Sequence, residues 1–206
     1  MKTHIICLNG PPRAGKGEVR KILKNLLQPD YNVEFRKFTD TMDTIAQGVL
    51  DIDSSDWKHW RETCKDDMLL GKYETTMRKF LIGMSEDWLK KHLGQGIMGR
   101  FAAQEVRRTI EVYNRFPRKK DLVFIFDDSG FQVEFDTMYG LLPDKVTSEV
   151  ARVPRPGRTF DQDSRDWVTH PAGFTSFIDN NGSKSNWRER LVCATEEFVK
   201  GSVFLK

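Results

Sequence analysis

The chain has 206 residues, of which 38% are hydrophobic and 31% are charged, and this composition is typical of a globular protein with a sizeable core. Its net charge of +3 is compatible with an anionic ligand but is too small to indicate nucleic-acid binding by itself. Three widely spaced cysteines argue against a disulfide framework or a zinc site and favour reduced thiols in a cytoplasm. We expect no signal peptide and no membrane span, because the N-terminus runs directly into a strand and no apolar run approaches about 20 residues.

The first half of the chain alternates strand and helix patterns. The short apolar run "HIICL" predicts a buried strand, and "EVRKILKNLL" repeats apolar residues at helical spacing. "NVEFRKF" alternates apolar and polar residues and predicts a second strand. The stretch 41–115 is mostly helical in pattern, with a break near "DIDSSDW", where Ser54 or Ser55 is expected to cap a helix.

The second half continues the alternation. "DLVFIFDD" is the strongest strand signal in the chain, and "SEVARVPRPG" predicts another strand that ends at its prolines. "FTSFIDNNGS" predicts a last short strand and turn, and "NWRERLVCATEEFVKG" predicts a closing amphipathic helix. Together the patterns predict an α/β fold with a parallel sheet and helices on both faces. We expect a single domain, 1–206, with a helical acceptor-binding region at 41–115 and a lid-like segment at 155–173.

A glycine-rich loop, "NGPPRAGKGEV", separates the first strand from its helix. Backbone N–H groups of such a loop, together with the helix N-terminus, form a cradle for phosphates. The alternative is a plain Gly/Pro-rich turn, but the position after a buried strand and before an amphipathic helix favours nucleotide binding. The residues expected to bind the nucleotide are Gly10, Pro11, Pro12, Arg13, Ala14, Gly15, Lys16, Gly17 and Glu18.

The loop departs from the usual pattern after Lys16, which is placed to neutralise charge on a transferred phosphoryl group. Loops of this kind normally continue with Ser or Thr, whose hydroxyl reaches Mg²⁺, whereas this chain continues with Gly17 and Glu18. Mg²⁺ is therefore expected to be held through water, by Asp127 or Asp128, or by Glu18 itself.

Two carboxylates, Asp127 and Asp128, end the strongest strand, where ligands bind in open parallel sheets. Because successive side chains of a strand point to opposite faces, at most one of them is expected to face the phosphates directly. With Asp40, they are the candidates to hold Mg²⁺ or to accept a proton from an acceptor. The alternative is that one of the pair caps the following turn.

Three arginines, Arg155, Arg158 and Arg165, lie in the polar lid-like segment. Arginines on such a loop could close over ATP and stabilise the charge of a transition state. The alternative is a solvated loop whose charges face water. Arg155 is the strongest candidate and is the one expected to be catalytic.

Several motifs resemble those of the phage deoxynucleoside monophosphate kinases, a group within the P-loop nucleoside and nucleotide kinases. "NGPPRAGKG" resembles their loop, "FTD" a Phe–Ala–Asp motif, and "FIFDDSGFQVE" an Asp–Asp–x–Arg–x–x–x–Glu motif. "RKFLIGMSEDWLKKHLG" resembles their Arg-led helix, while "RPGR" and "IDNNGS" resemble the arginine of their lid and their final turn. The resemblance is patchy but spans nearly the whole chain. It implies a P-loop kinase fold that uses ATP and Mg²⁺.

The chain departs from that family where an acceptor phosphate would bind. Gly130 replaces the arginine of the Asp–Asp–x–Arg motif, Asp43 stands where a lysine is expected, and Ile82 stands where a glutamine is usual. Two cations are therefore absent, and each would contribute about 1.5–3 kcal/mol in a charged hydrogen bond. We expect a site poor in cations. The cations that could substitute are Arg36, Lys37, Arg78 and Lys79.

The segment "DWKHWRETCKDD" places Trp57 and Trp60 among cations. Aromatic rings interleaved with cations could stack bases and hold a nucleic-acid backbone. The two tryptophans also share a helix face, so packing in the core is the alternative. The residues expected to bind the acceptor are Arg36, Phe38, Asp40, Trp57 and Arg78.

These patterns and the resemblance imply an ATP-dependent phosphotransferase with a deoxynucleotide-class acceptor. The missing cations and the tryptophan segment favour the hydroxymethyl hydroxyl of 5-hydroxymethyluridine in phage DNA, the substrate of phage kinases that act in DNA hypermodification. A free deoxynucleoside monophosphate, converted to its diphosphate, is the alternative, and a non-enzymatic nucleotide-binding interaction module is a second alternative. The expected location is the cytoplasm, that of the host cell for a phage protein, with no membrane contact. The oligomeric state stays open, with a homodimer as one alternative.

Overall fold

The structure is a computed structural model that describes residues 1–64, 74–116, 120–161, 163–182 and 185–205. Parts of three predicted segments lie outside these ranges. They are residues 65–73 of the helical region, which include the end of the tryptophan segment, residue 162 of the lid-like segment, and residue 183 of the final turn.

Five strands form one parallel sheet and confirm all five predicted strands. They are β1 (Thr3–Asn9), β2 (Tyr31–Arg36), β3 (Asp121–Ser129), β4 (Val146–Arg152) and β5 (Thr175–Phe177). The strand order is β2-β3-β1-β4-β5, and every neighbouring pair is parallel. β1 is central, because Ile5 lies opposite Phe124 of β3 on one side and Ser148 of β4 on the other.

Helices connect these strands. They are α1 (Lys16–Leu27), α2 (Asp40–Leu50), α3 (Ser54–Thr63), α4 (Met77–Ile82), α5 (Lys91–Leu93), α6 (Ile97–Tyr113), α7 (Gln132–Leu141) and α8 (Trp187–Gly201). A π-helical segment, Gly83–Lys90, joins α4 to α5. Within the described ranges, no helix is long and apolar enough to cross a membrane.

The hydrophobic core consists of two layers, one on each face of the sheet. Because side chains alternate along a strand, Phe124 and Phe126 of β3 pack with α2, α6 and α7, whereas Val123 and Ile125 pack with α1 and α8. A parallel sheet covered on both faces is the predicted fold class, which is confirmed.

Two local expectations are corrected. The cap of α3 is Asp53 rather than Ser54 or Ser55, because the Asp53 carboxylate accepts hydrogen bonds from the backbone N–H groups of Ser55 and Asp56 at 2.8 and 2.9 Å. Helix α7 was not predicted, because its apolar pattern is weak: only Glu134, Phe135 and Met138 are buried in it.

Candidate active site

The glycine-rich loop links β1 to α1 in a compact turn. Gly15 has a φ of 102° and Arg13 a φ of 62°, so the chain is left-handed at two points of this loop. A Cβ atom at Gly15 would lie 2.6 Å from Nδ2 of Asn180, and one at Gly10 would lie 2.6 Å from the carbonyl oxygen of Val153. The shape of the loop therefore requires glycine at both positions.

Asn180, which follows the last strand, braces the loop from behind. Its buried side chain donates a hydrogen bond from Nδ2 to the carbonyl oxygen of Ala14 at 2.6 Å. Its own backbone N–H donates to Pro154 O at 3.1 Å. The final turn therefore fixes the loop by direct contact, a role that "IDNNGS" did not reveal by its spacing.

Lys16 lies across the loop. Its Nζ donates to the carbonyl oxygens of Gly10 and Pro11 at 2.5 and 3.0 Å. Burial, with a smaller contribution from the nearby Arg165, lowers the pKa of Lys16 from 10.5 to about 8. Lys16 is therefore mostly protonated at neutral pH and carries its positive charge at the mouth of the loop.

A cavity of about 430 Å³, the loop cavity, opens at this turn. Arg155 borders it and donates from Nη1 to Arg13 O at 3.0 Å. The exposed Arg158 only continues the turn after Arg155. The predicted nucleotide-binding residues that do not line the cavity are Gly10, Pro11, Pro12, Arg158 and Arg165. The residues that line the loop cavity are Arg13, Ala14, Gly15, Lys16, Gly17, Glu18, Asp127 and Arg155.

Asp127 and Asp128 point to opposite faces of the sheet, as strand alternation predicts. Asp127 lines the loop cavity, and its Oδ2 accepts a hydrogen bond from Nη1 of Arg20 at 2.6 Å. Asp128 is turned to the other face, where its Oδ1 accepts from the backbone N–H of Phe38 at 2.9 Å. The two carboxylates therefore serve two different cavities.

The second cavity, of about 260 Å³, lies on the face that Asp128 occupies. The expectation that this site is poor in cations is wrong. Asp43, which stands where a lysine was expected, pairs with Arg61 at 3.4 Å and so holds a cation from α3 at the cavity. The charged residues that line the second cavity are Lys37, Arg61, Lys90, Arg165, Glu86, Asp128 and Glu134.

Lys90 is the most buried cation of the second cavity, with 4% of its surface exposed. Its Nζ lies 2.8 Å from Glu86, 3.1 Å from Glu134 and 3.8 Å from the centre of the Phe131 ring. Burial alone would lower the pKa of Lys90, but the two carboxylates raise it above its ordinary value. The sequence analysis did not single out Lys90, because its contact with Glu134 joins two motifs that are distant in sequence.

Asp128 has the most perturbed carboxyl of the site. Burial raises its pKa from 3.8 to about 7, the hydrogen bond from Phe38 opposes the change, and the charges of Asp127 and Asp40 add to it. Burial likewise raises the pKa of Asp40, whose Oδ2 accepts from the backbone N–H of Lys37 at 2.9 Å. Asp40 therefore fixes the loop before α2 and does not line either cavity.

Of the five residues expected to bind the acceptor, the second cavity includes only Phe38. Trp57, 5% exposed, packs in the core of the α2 and α6 face, so it is unavailable for base stacking. Arg36 pairs with Glu34 at 2.9 Å, and Arg78 is exposed on α4 away from the cavity lining. Trp57 is therefore corrected as a stacking residue, whereas Arg36, Asp40 and Arg78 lie outside the lining of the second cavity.

The suitability of the loop cavity for Mg²⁺ depends on Asp127. Its Oδ1 is buried at the edge of the loop cavity without a hydrogen-bond partner among the described residues. Glu18 is instead engaged by Lys21 at 2.7 Å and lies 3.7 Å from Arg188. The described ranges hold no cluster of three acidic, His or Cys side chains able to bind a metal. Such a site fits Mg²⁺ that takes one carboxylate and completes its shell with phosphate and water.

No protein-family model and no curated protein matches this chain. Among solved structures, similarity extends to the crystal structure of APE1195, with 13% identity, 98% of this chain and 97% of that chain covered, and a TM-score of 0.45. It also extends to a gluconokinase from Sinorhizobium meliloti 1021, with 11% identity, 95% and 93% coverage, and a TM-score of 0.37. Because both scores are below 0.5, function has to be argued from the residues of this chain.

Proposed function

We propose that this chain is an ATP-dependent phosphotransferase that transfers the γ-phosphate to a deoxynucleotide-class acceptor. The observation that carries the proposal is a pair of adjacent carboxylates at the end of β3, with Asp127 at the loop cavity and Asp128 at the second cavity. A donor bound in the loop cavity and an acceptor bound in the second cavity would meet at the end of β3, between these two carboxylates. In-line phosphoryl transfer depends on this kind of positioning.

The loop cavity is the proposed donor site. The N–H groups of the loop and the α1 N-terminus would bind the β- and γ-phosphates, with Lys16 and Arg155 supplying positive charge. Mg²⁺, when bound, supplies further charge neutralisation on the phosphates, and Asp127 is the residue proposed to hold it.

Asp128 is the proposed general base of the second cavity. A carboxyl with a pKa of about 7 can accept a proton near neutral pH, which is useful when the acceptor is a hydroxyl. The acceptor oxygen bonds to the γ-phosphorus, the bond to the β–γ bridging oxygen breaks, ADP leaves, and the hydroxyl proton passes to Asp128. We therefore keep the hydroxymethyl group of 5-hydroxymethyluridine in DNA as the proposed acceptor.

A deoxynucleoside monophosphate is the second candidate, and a specific observation favours it. Four cations line the second cavity, and Lys37 and Arg61 are among them. Four cations can bind a dianionic phosphate, although Arg61, Lys90 and Arg165 already have carboxylate partners. The number of cations alone therefore does not favour a hydroxyl acceptor. The support for a hydroxyl acceptor comes from Asp128.

The test is transfer of label from γ-labelled ATP to free deoxynucleoside monophosphates and to hydroxymethyluracil-containing DNA, measured with the wild type and with Asp128→Asn. For a hydroxyl acceptor we expect labelling of the DNA, and a loss of about 100-fold or more in Asp128→Asn while ATP still binds. Labelling of the DNA should also weaken with rising salt, because bound phosphates release counterions.

Other outcomes of this assay are equally informative. Labelling of a monophosphate but not of the DNA would contradict the hydroxyl acceptor and support the second candidate. ATP binding without turnover on any acceptor would contradict the phosphotransferase and support a nucleotide-dependent interaction module.

A further inference from the structure

Gly130, the residue that follows β3, lies directly under the side chain of Arg165. A Cβ atom built at Gly130 would lie 2.6 Å from Cγ, 2.6 Å from Cδ and 2.8 Å from Cβ of Arg165. The φ of Gly130 is outside the left-handed region, so its backbone would accept an L side chain. The nearest atoms that a side chain at position 130 would meet therefore all belong to Arg165, and an arginine at position 130 could not coexist with Arg165 in this place.

Asp163 holds the guanidinium of Arg165 with two parallel hydrogen bonds. Nε donates to Oδ1 at 2.8 Å and Nη2 donates to Oδ2 at 2.5 Å. Bidentate pairs of this kind fix both the position and the plane of the guanidinium. Nη1 takes no part in this pair, so its two N–H groups are the ones that could donate to another anionic group.

The backbone beside Arg165 is tied to the end of the sheet. The N–H of Asp166 donates to Gly130 O at 2.8 Å, and the buried Asn9 donates from Nδ2 to Asp166 O at 3.1 Å. The Oδ1 of Asn9 also accepts from the N–H of Val168 at 2.9 Å. Arg165 therefore belongs to a part of the lid-like segment that is anchored to β1 and β3.

Arg165 and Arg155 line different cavities. Arg165 lines the second cavity together with Asp128, whereas Arg155 lines the loop cavity and contacts the loop. Arg165 is also close enough to Lys16 of the loop for their charges to interact. It therefore faces the space between donor and acceptor from the acceptor side.

We propose that Arg165 is a catalytic residue that binds the phosphoryl group in transit from the side of the second cavity, with Asp163 and Gly130 as its positioning residues. This inference rests on the proposed phosphotransferase function. Its chemical step is the balanced transfer given above, in which Arg165 donates hydrogen bonds to phosphoryl oxygens and no bond to Arg165 forms or breaks. Gly130 acts only by leaving room for the Arg165 side chain.

A double-mutant cycle tests the proposal, because residues that act through one contact are not additive. We expect Arg165→Gly to lower kcat about 100-fold or more, the loss typical of one transition-state donor, while the ATP dissociation constant changes less than about threefold. Gly130→Ala should cause a comparable loss by displacing Arg165. In the Arg165→Gly background, which removes all three contacting atoms, Gly130→Ala should cost less than about threefold.

Matched variants separate positioning from general damage. Gly140→Ala in α7 adds a Cβ that meets nothing within 4 Å, so its kcat should equal that of the wild type. Asp163→Asn should lower kcat about tenfold by loosening the pair, and Arg165→Lys should recover part of the activity of Arg165→Gly. Thermal melting checks that each variant is folded.

Two outcomes would overturn the inference, and they are distinguishable from failure of the function itself. Wild-type kcat in Arg165→Gly, or an undiminished Gly130→Ala effect in that background, would contradict the role of Arg165 while leaving a working phosphotransferase. Absence of transfer by the wild type on every acceptor would overturn both the function and this inference.

Discussion

Lys16 is the single side chain on which the proposed donor site depends most. Its Nζ donates to the loop carbonyls of Gly10 and Pro11, and its removal takes these two hydrogen bonds and one positive charge from the loop. We expect Lys16→Ala to fold normally and to lose about 100- to 1,000-fold in kcat, the range typical of one electrostatic stabiliser. The measurement is steady-state transfer beside a melting curve. Lys21→Ala is the matched control, because Lys21 is exposed and forms an ion pair with Glu18. Near-normal turnover in Lys16→Ala would refute the donor site.

Glu18 follows Lys16 and Gly17, close to where loops of this kind carry the Mg²⁺-binding hydroxyl, but its contacts point to a different role. It pairs with Lys21 and lies near Arg188 on the first turn of α1. The hydrogen bond from Lys21 lowers the pKa of Glu18, so it is ionised at neutral pH and would be repelled by a triphosphate. We expect Glu18→Gln to leave the Mg²⁺ dependence of transfer unchanged and to cost less than about 1 kcal/mol of stability. A raised Mg²⁺ requirement in this variant would show that Glu18 helps to place the metal.

At the scale of elements, the loop between β1 and α1 keeps its shape through the turn that follows β5. Asn180→Ala would leave the Ala14 carbonyl without its buried donor, at a cost of about 1–3 kcal/mol. We expect a loss of stability in this range and about tenfold weaker ATP binding, since the loop would relax before it binds phosphate. Asn181→Ala is the matched control, because its exposed side chain donates to Asp179 and, among the described residues, makes no contact with the loop. Equal losses of ATP binding in Asn180→Ala and Asn181→Ala would contradict the role of Asn180 in holding the loop.

At the scale of the whole molecule, Asp128 links the free energy of unfolding to pH. Its carboxyl keeps its proton up to about pH 7 in the folded chain but releases it near 3.8 when unfolded. Between these values the folded state binds more protons, so the contribution of Asp128 to stability is full at low pH and is lost as the pH rises through 7. The loss is at most about 4 kcal/mol at 1.36 kcal/mol per pH unit.

Denaturant unfolding of the nucleotide-free protein at several pH values measures this contribution. Other carboxyls, such as Asp163, have lowered pKa values and therefore stabilise the folded chain more as the pH rises. The free energy of unfolding of Asp128→Asn is therefore compared with that of the wild type at each pH. Asp128→Asn keeps an acceptor for the Phe38 N–H and should be stabilised relative to the wild type as the pH rises from 4 to 7. A difference between the two proteins that stays constant over this range would contradict the raised pKa.

Local patterns were sufficient to predict the sheet, the helix after the loop and the α/β class. Strand and helix periods depend on residues close in sequence, and the apolar face of α1 and the buried run of β3 are strong examples. Weak patterns failed, as in α7, and the carboxylate of Asp53 outcompeted the neighbouring serines as a cap. The loop and the Asp127–Asp128 pair were also predicted, because each is a run of adjacent residues whose spacing alone suggests its chemistry.

The sequence by itself determined the parallel α/β sheet and the position of its glycine-rich loop, since both follow from short-range patterns. Only the tertiary structure decided which charges meet at the second cavity. Arg61, Lys90 and Arg165 come from α3, the π-helical segment and the anchored part of the lid-like segment, and no spacing along the chain relates them. The tertiary structure also placed Trp57 in the core and packed Arg165 against Gly130. Burial and close contact depend on elements that are distant in sequence and adjacent in space.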